Sequence, residues 1–160
     1  MWITPLDFLI RVYYTLYMKV INNTGYDTKQ LRTLFARCLG EVRKREGARW
    51  QIQKQAVNVI YQRKSLGKSA EWIGGEAFLR SNYLTMKLPH EKFEKTIVQD
   101  KANLDFTQCI ADTYIHEIGH CFGQKHIRVE GYPARSTMEH LYREWILENI
   151  SEEKYPITKK

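Results

Sequence analysis

The chain has 160 residues, 43% of them hydrophobic, 12% aromatic and 27% charged. That is enough apolar surface to build one core without disulfide or metal staples, and it excludes a disordered chain. The formal net charge of +7 favours acidic partners, nucleic acid among them. The basic residues are nevertheless scattered through RKREGAR, YQRKSLGK and the terminal KK without interleaved aromatics, and read as solvated faces.

The first twenty residues, MWITPLDFLIRVYYTLYMKV, are the most apolar stretch. Asp7 and Arg11 interrupt them, no small-residue cleavage site follows, and a membrane span needs about 20 apolar residues. Residues 1–17 are therefore expected to form an N-terminal helix packed on the core, with no membrane segment. The odd number of cysteines, Cys38, Cys109 and Cys121, suits reduced thiols in a cytoplasmic protein. Neither repeats nor Pro/Gly/Ser linkers divide the chain, so residues 1–160 are read as one domain.

Residues 18–104 carry the sheet and a long helix. A strand over Met18 to Asn22 leads into NTGYDTKQ, where Asp27 and Gln30 have the spacing of a capping box. Leu31, Leu34, Phe35, Cys38, Leu39 and Val42 then recur at helical intervals up to a stop near Gly47. RWQIQK and VNVIYQR are short and alternating or β-branched, as strands are. GGEAFLR and YLTMKLP, separated only by Ser81 and Asn82, are expected to be antiparallel neighbours. A Lys-rich stretch from His90 to Asn103 leads to a capped helix over 105–122. Residues 123–138 form a loop, and a closing helix over 139–150 starts from a Ser136/Glu139 capping box and buries Leu141, Tyr142, Trp145 and Ile146. This order of elements predicts an α/β (α+β) domain.

The helix over 105–122 holds the most specific feature, HEIGHCFGQKH, which concentrates three of the five histidines into eleven residues. Positions four apart share a helix face, so His116 and His120 project side by side about 6 Å apart along the axis. Ile110, Tyr114, Ile118 and Cys121 fall on another face, free to pack on the sheet. Two such imidazoles supply two legs of a zinc site, and His126 is the candidate for a third. To bring His126 back, the chain must turn sharply after the helix, and Gly123 stands where a helix-terminating glycine would do this. Glu117 lies about 100° round the helix from His116, close enough to act on a water without joining the ligands. Chance would place these five residues at these offsets in roughly one sequence in 10⁵ of this composition, which argues against ordinary surface histidines. Cys121 points about 100° away from this face and Cys109 lies about two turns off, so both are expected to be buried apolar groups.

HEIGHCFGQKH resembles the metzincin signature HExxHxxGxxH, and Ser136, Thr137 and Met138 look like the Met-turn of that family. The resemblance implies a zinc endopeptidase domain with a twisted, mostly parallel sheet, an antiparallel edge strand, an active-site helix and a C-terminal helix. It implies that His116, His120 and His126 bind one Zn2+, that Glu117 is the general base, that Gly123 makes the turn, and that Met138 forms an apolar floor beneath the metal. GGEAFLR is the candidate edge strand for pairing with an extended peptide substrate. Of the residues after Met138, His140 and Tyr142 are assigned no role.

Three other readings compete. A glutamate on the closing helix, Glu139, Glu144 or Glu148, could be the third ligand, which leaves Gly123 and His126 unexplained. An intracellular protease of the SprT-like kind, acting on DNA-bound proteins, would suit the positive charge, but the spacing of the third histidine fits it less well. A catalytically idle peptide-binding domain could keep the zinc site as a relic, although Glu117 is retained.

Overall fold

Residues 4–5, 18–47, 55–63, 73–78, 81–96, 103–126 and 137–160 are described by the computed structural model, with backbone alone at 137–140. Its centre is a four-stranded sheet of β1 (Lys19–Asn22), β2 (Ala56–Tyr61), β3 (Gly74–Ala77) and β4 (Tyr83–Leu88), in the order β1-β2-β4-β3. β1 pairs with β2 and β2 with β4 in parallel, while β3 pairs antiparallel with β4 at the edge. The domain is therefore mixed α/β, with the expected mostly parallel sheet and with the first four residues of GGEAFLR as its antiparallel edge. RWQIQK, the bulk of the expected N-terminal helix over 1–17 and the loop over 127–136 lie outside the described residues.

Strand periodicity decides which side of the sheet is covered. Val57 is in register with Leu84 and Val59 with Met86, and all four are fully buried. Side chains two apart share a face, so these rows form the floor on which the helices pack. Among the described residues, three longer helices pack here: α1 (Thr28–Glu46), α2 (Phe106–Cys121) and α3 (Thr137–Asn149).

α1 buries the stripe Leu31, Leu34, Phe35, Cys38, Leu39 and Val42, as its 3.6-residue period requires. Asp27 caps it by accepting from the Gln30 amide at 2.9 Å. The expected reciprocal half of the capping box is replaced by the C-terminal segment. Gln30 Oε1 accepts instead from the Thr158 amide at 2.7 Å, and the Asp27 amide donates to the Thr158 carbonyl at 2.9 Å. α1 ends at Gly47, whose φ of 71° only a residue without a Cβ adopts easily.

α2 is buried almost all round and joins the sheet to the other two helices. Its start is fixed by a complete capping box, Gln108 N to Asp105 Oδ1 at 2.8 Å and Asp105 N to Gln108 Oε1 at 3.0 Å. The Asp105 and Gln108 side chains also hold the chain after α3, through the Glu152 amide and the Ile150 carbonyl. Tyr114 packs its ring 4.6 Å from that of Phe35 and donates its buried hydroxyl to Gln55.

α3 starts at Thr137, two residues before the expected boundary, so Met138 lies in its first turn. Tyr142, Trp145 and Ile146 are buried as expected. Leu141 is not: it is 62% exposed. It sits on the flank of the helix, where the Arg45 guanidinium takes its carbonyl at 2.9 Å. Arg143 reaches back to the fully buried Asp112 of α2 at 3.4 Å, tying the two helices together. No helix among the described residues is long and apolar enough to cross a membrane.

Because Phe35 bridges α1 to α2 and is fully buried, Phe35→Ala is expected to lower stability by about 3–5 kcal/mol in urea unfolding. A loss below about 1 kcal/mol would show that this contact does not anchor α2.

Candidate metal centre

His116 and His120 stand on successive turns at the end of α2, on the one side of that helix that is not buried. The helix then closes as a Schellman turn. Gln124 N donates to Gly119 O at 2.9 Å and Gly123 N to His120 O at 3.0 Å. Gly123 carries the reversal at φ 92°, a conformation that a side chain would strain. The turn brings His126 back against the helix, as the spacing predicts.

The three imidazoles meet at their Nε2 atoms. His116 lies 3.0 Å from His126, and His120 lies 2.9 Å from both. Hydrogen bonding alone does not satisfy this triangle. An imidazole nitrogen is either an N–H donor or a lone-pair acceptor, never both, so at least one of the three contacts must set like against like. A cation shared by three lone pairs removes the conflict. Nitrogens at about 2.0–2.1 Å from a tetrahedral zinc stand about 3.3 Å apart, so the triangle needs to open by only a few tenths of an ångström.

His120 is already oriented as a metal ligand would be. Its Nδ1 lies 2.7 Å from the Gln124 carbonyl, which can only accept, so the proton sits on Nδ1 and the Nε2 lone pair faces the cluster. One short turn thus does two things: Gly123 returns His126, and Gln124 fixes the tautomer of His120. Among the described residues, these three histidines form the group able to hold a metal ion.

Glu117 is 5% exposed, and its Oε1 lies 3.8 Å from His116 Nε2. It is beside the cluster and outside it, as its position on the helix predicts. Over it runs the edge strand, where a Cβ on Gly75 would fall 2.5 Å from Glu117 Cγ and 3.0 Å from its Oε1. None of the three cysteines is in a disulfide, and all are buried and apart from the cluster. Burial pushes the Cys38 thiol up to about 12 and the Cys121 thiol up to about 11, which suppresses the thiolate that would bind a metal.

The remaining expected positions are placed less closely. Met138 is in the first turn of α3, and its side chain and that of His140 lie outside the described residues. Tyr142 is buried under the Arg45 guanidinium, 4.5 Å above its ring, at the end of α1. Glu144 and Glu148 are exposed on α3. Sequence reasoning missed three contributors: the Gln124 carbonyl, the Asp112–Arg143 tie and the glycine above Glu117. Only the last left a local signal, since a Gly-Gly pair inside a strand marks a close approach. The chain matches no family model, no curated protein and no solved structure.

The metal-free protein is expected to take up one equivalent of zinc. His120→Ala and His126→Ala should each weaken uptake by at least about 10²-fold, while Cys121→Ser leaves it unchanged, as read by competition against a chromogenic chelator. In the same protein, Ellman's reagent at pH 8 should find Cys38 and Cys121 silent until denaturant is added, because a thiol pushed up to about 11 or 12 stays protonated there.

Proposed function

We propose that the protein is a zinc-dependent endopeptidase of metzincin type, with His116, His120 and His126 as metal ligands and Glu117 as general base. The observation that carries this reading is the convergence of three Nε2 atoms within 3.0 Å, with a carboxylate oxygen 3.8 Å from one of them. Three neutral imidazoles suit a catalytic zinc that keeps an open fourth position. Such an ion polarises a carbonyl and brings the pKa of a bound water towards about 7.

The chain's own groups then supply the rest. Glu117 is too close to the cluster to be indifferent to it and is held off from it by its place on the helix. Its carboxylate takes the proton of the attacking water, and the acid so formed gives that proton to the leaving amine as the C–N bond breaks. No covalent acyl-enzyme is needed. The substrate is an extended peptide. Among the described residues β3 is the outermost strand of the sheet, and the outer edge of such a strand can pair with a peptide through main-chain hydrogen bonds. The order of elements, with an edge strand over the helix that bears the histidines and a further helix from Thr137, also agrees with the metzincin resemblance.

Glu117→Gln is expected to keep one zinc and to lose roughly 10²–10⁴-fold in kcat against a mixed peptide library, since the amide cannot accept the proton. An unchanged rate with zinc bound would remove Glu117 from the chemistry.

A further inference from the structure

The second glycine of the edge strand faces the candidate base. In the strand register Gly75 is paired with Met86, and Met86 with Val59. Paired residues share a face, and Val59 and Met86 are both fully buried towards the helices. This row therefore runs across the sheet and ends, at Gly75, directly over α2. What fills the space that a side chain would occupy there is the carboxyl end of Glu117. A Cβ built on Gly75 would lie 2.5 Å from Glu117 Cγ, 2.9 Å from Cδ and 3.0 Å from Oε1. No real Cβ tolerates the first of these. Gly75 has no positive φ, so the backbone conformation does not demand glycine. Space does.

The neighbouring glycine makes the contrast. A Cβ on Gly74 would meet only Lys87 Cβ at 3.9 Å, an ordinary contact, because that position faces away from α2. Of the two, only Gly75 is required by its surroundings.

We propose that Gly75 is a positioning residue, which sets the Glu117 carboxylate beside His116 by leaving its own side-chain space empty. The inference rests on the peptidase reading for its functional meaning but not for its geometry. When a Cβ is added, the strand is held by its pairing to β4, whereas Glu117 is a side chain that can rotate. The carboxylate moves, and the backbone stays.

The test is a double-mutant cycle with two readouts, run on the full zinc-loaded chain. Urea unfolding is measured for the wild type, Gly75→Ala, Glu117→Ala, Glu117→Gln and the two doubles. Gly75→Ala is expected to lower the folding equilibrium constant at least about 10-fold in the wild-type and Glu117→Gln backgrounds, where the side chain at 117 has the same size. In the Glu117→Ala background, where the obstruction is gone, it should change that constant by less than about threefold. Gly75→Ala alone should keep one zinc and its KM within about threefold while kcat falls about 10²-fold, a split that general loosening of the strand would not give. Gly74→Ala serves as the control for the unfolding cycle and should change the folding equilibrium constant by less than about threefold in every background, because its Cβ would meet only Lys87 Cβ at 3.9 Å. Equal destabilisation by Gly75→Ala in all three backgrounds, or a Gly75→Ala enzyme with full kcat, would overturn the proposal. If the wild type cleaves nothing, the peptidase reading falls, and the unfolding cycle still decides whether Gly75 positions Glu117.

Discussion

Three imidazole nitrogens held within 3.0 Å of one another are the constraint on which the rest of the structure depends. Three imidazole nitrogens cannot hydrogen-bond to one another all three ways, whereas a shared cation would satisfy all three, and the fold holds them in place for it. Two of the rings come rigidly, since successive turns of one helix fix their separation. The third comes at the cost of a reversal at Gly123, and the same reversal aims the Gln124 carbonyl at His120. The third imidazole, the turn and the tautomer are thus set by five consecutive residues, 120–124, together with His126.

That local economy only works if α2 itself does not move. Its first turn is locked by the Asp105/Gln108 capping box, whose two side chains also hold the segment after α3. Its middle is fixed by the Phe35 and Tyr114 rings and by the Asp112–Arg143 pair. Its last turns carry the histidines. The helix is buried along almost its whole length, and the polar end of it that remains half exposed is where the candidate chemistry lies. β3 then covers Glu117, so sheet edge and helix end form one unit through the contact of Gly75 with Glu117.

Much of this was legible in the sequence, because the signals were local. The 3.6-residue stripe of α1, the capping spacing at Asp105, the i, i+4 histidines and the glycine before the third histidine each depend on neighbours in the chain. The antiparallel pairing of β3 with β4 was legible for the same reason, a two-residue separation. What stayed hidden depends on residues distant in sequence. Gln30 looked like half of a capping box, but Thr158 competes for it from the far end of the chain. Leu141 carried the right residue type for a buried stripe, and only the position of α1 decides that it is uncovered. Gly75 and Glu117 are brought together by the sheet register and the helix placement jointly, and neither is visible in a window of sequence.

Zinc K-edge X-ray absorption on the purified, zinc-loaded protein tests the central claim most directly. The expected spectrum has a shell of three imidazole nitrogens at about 2.0–2.1 Å with the outer-ring scattering of histidine, and one further oxygen. A sulfur shell at about 2.3 Å, or fewer than three imidazoles, would contradict it and move the metal away from His116, His120 and His126.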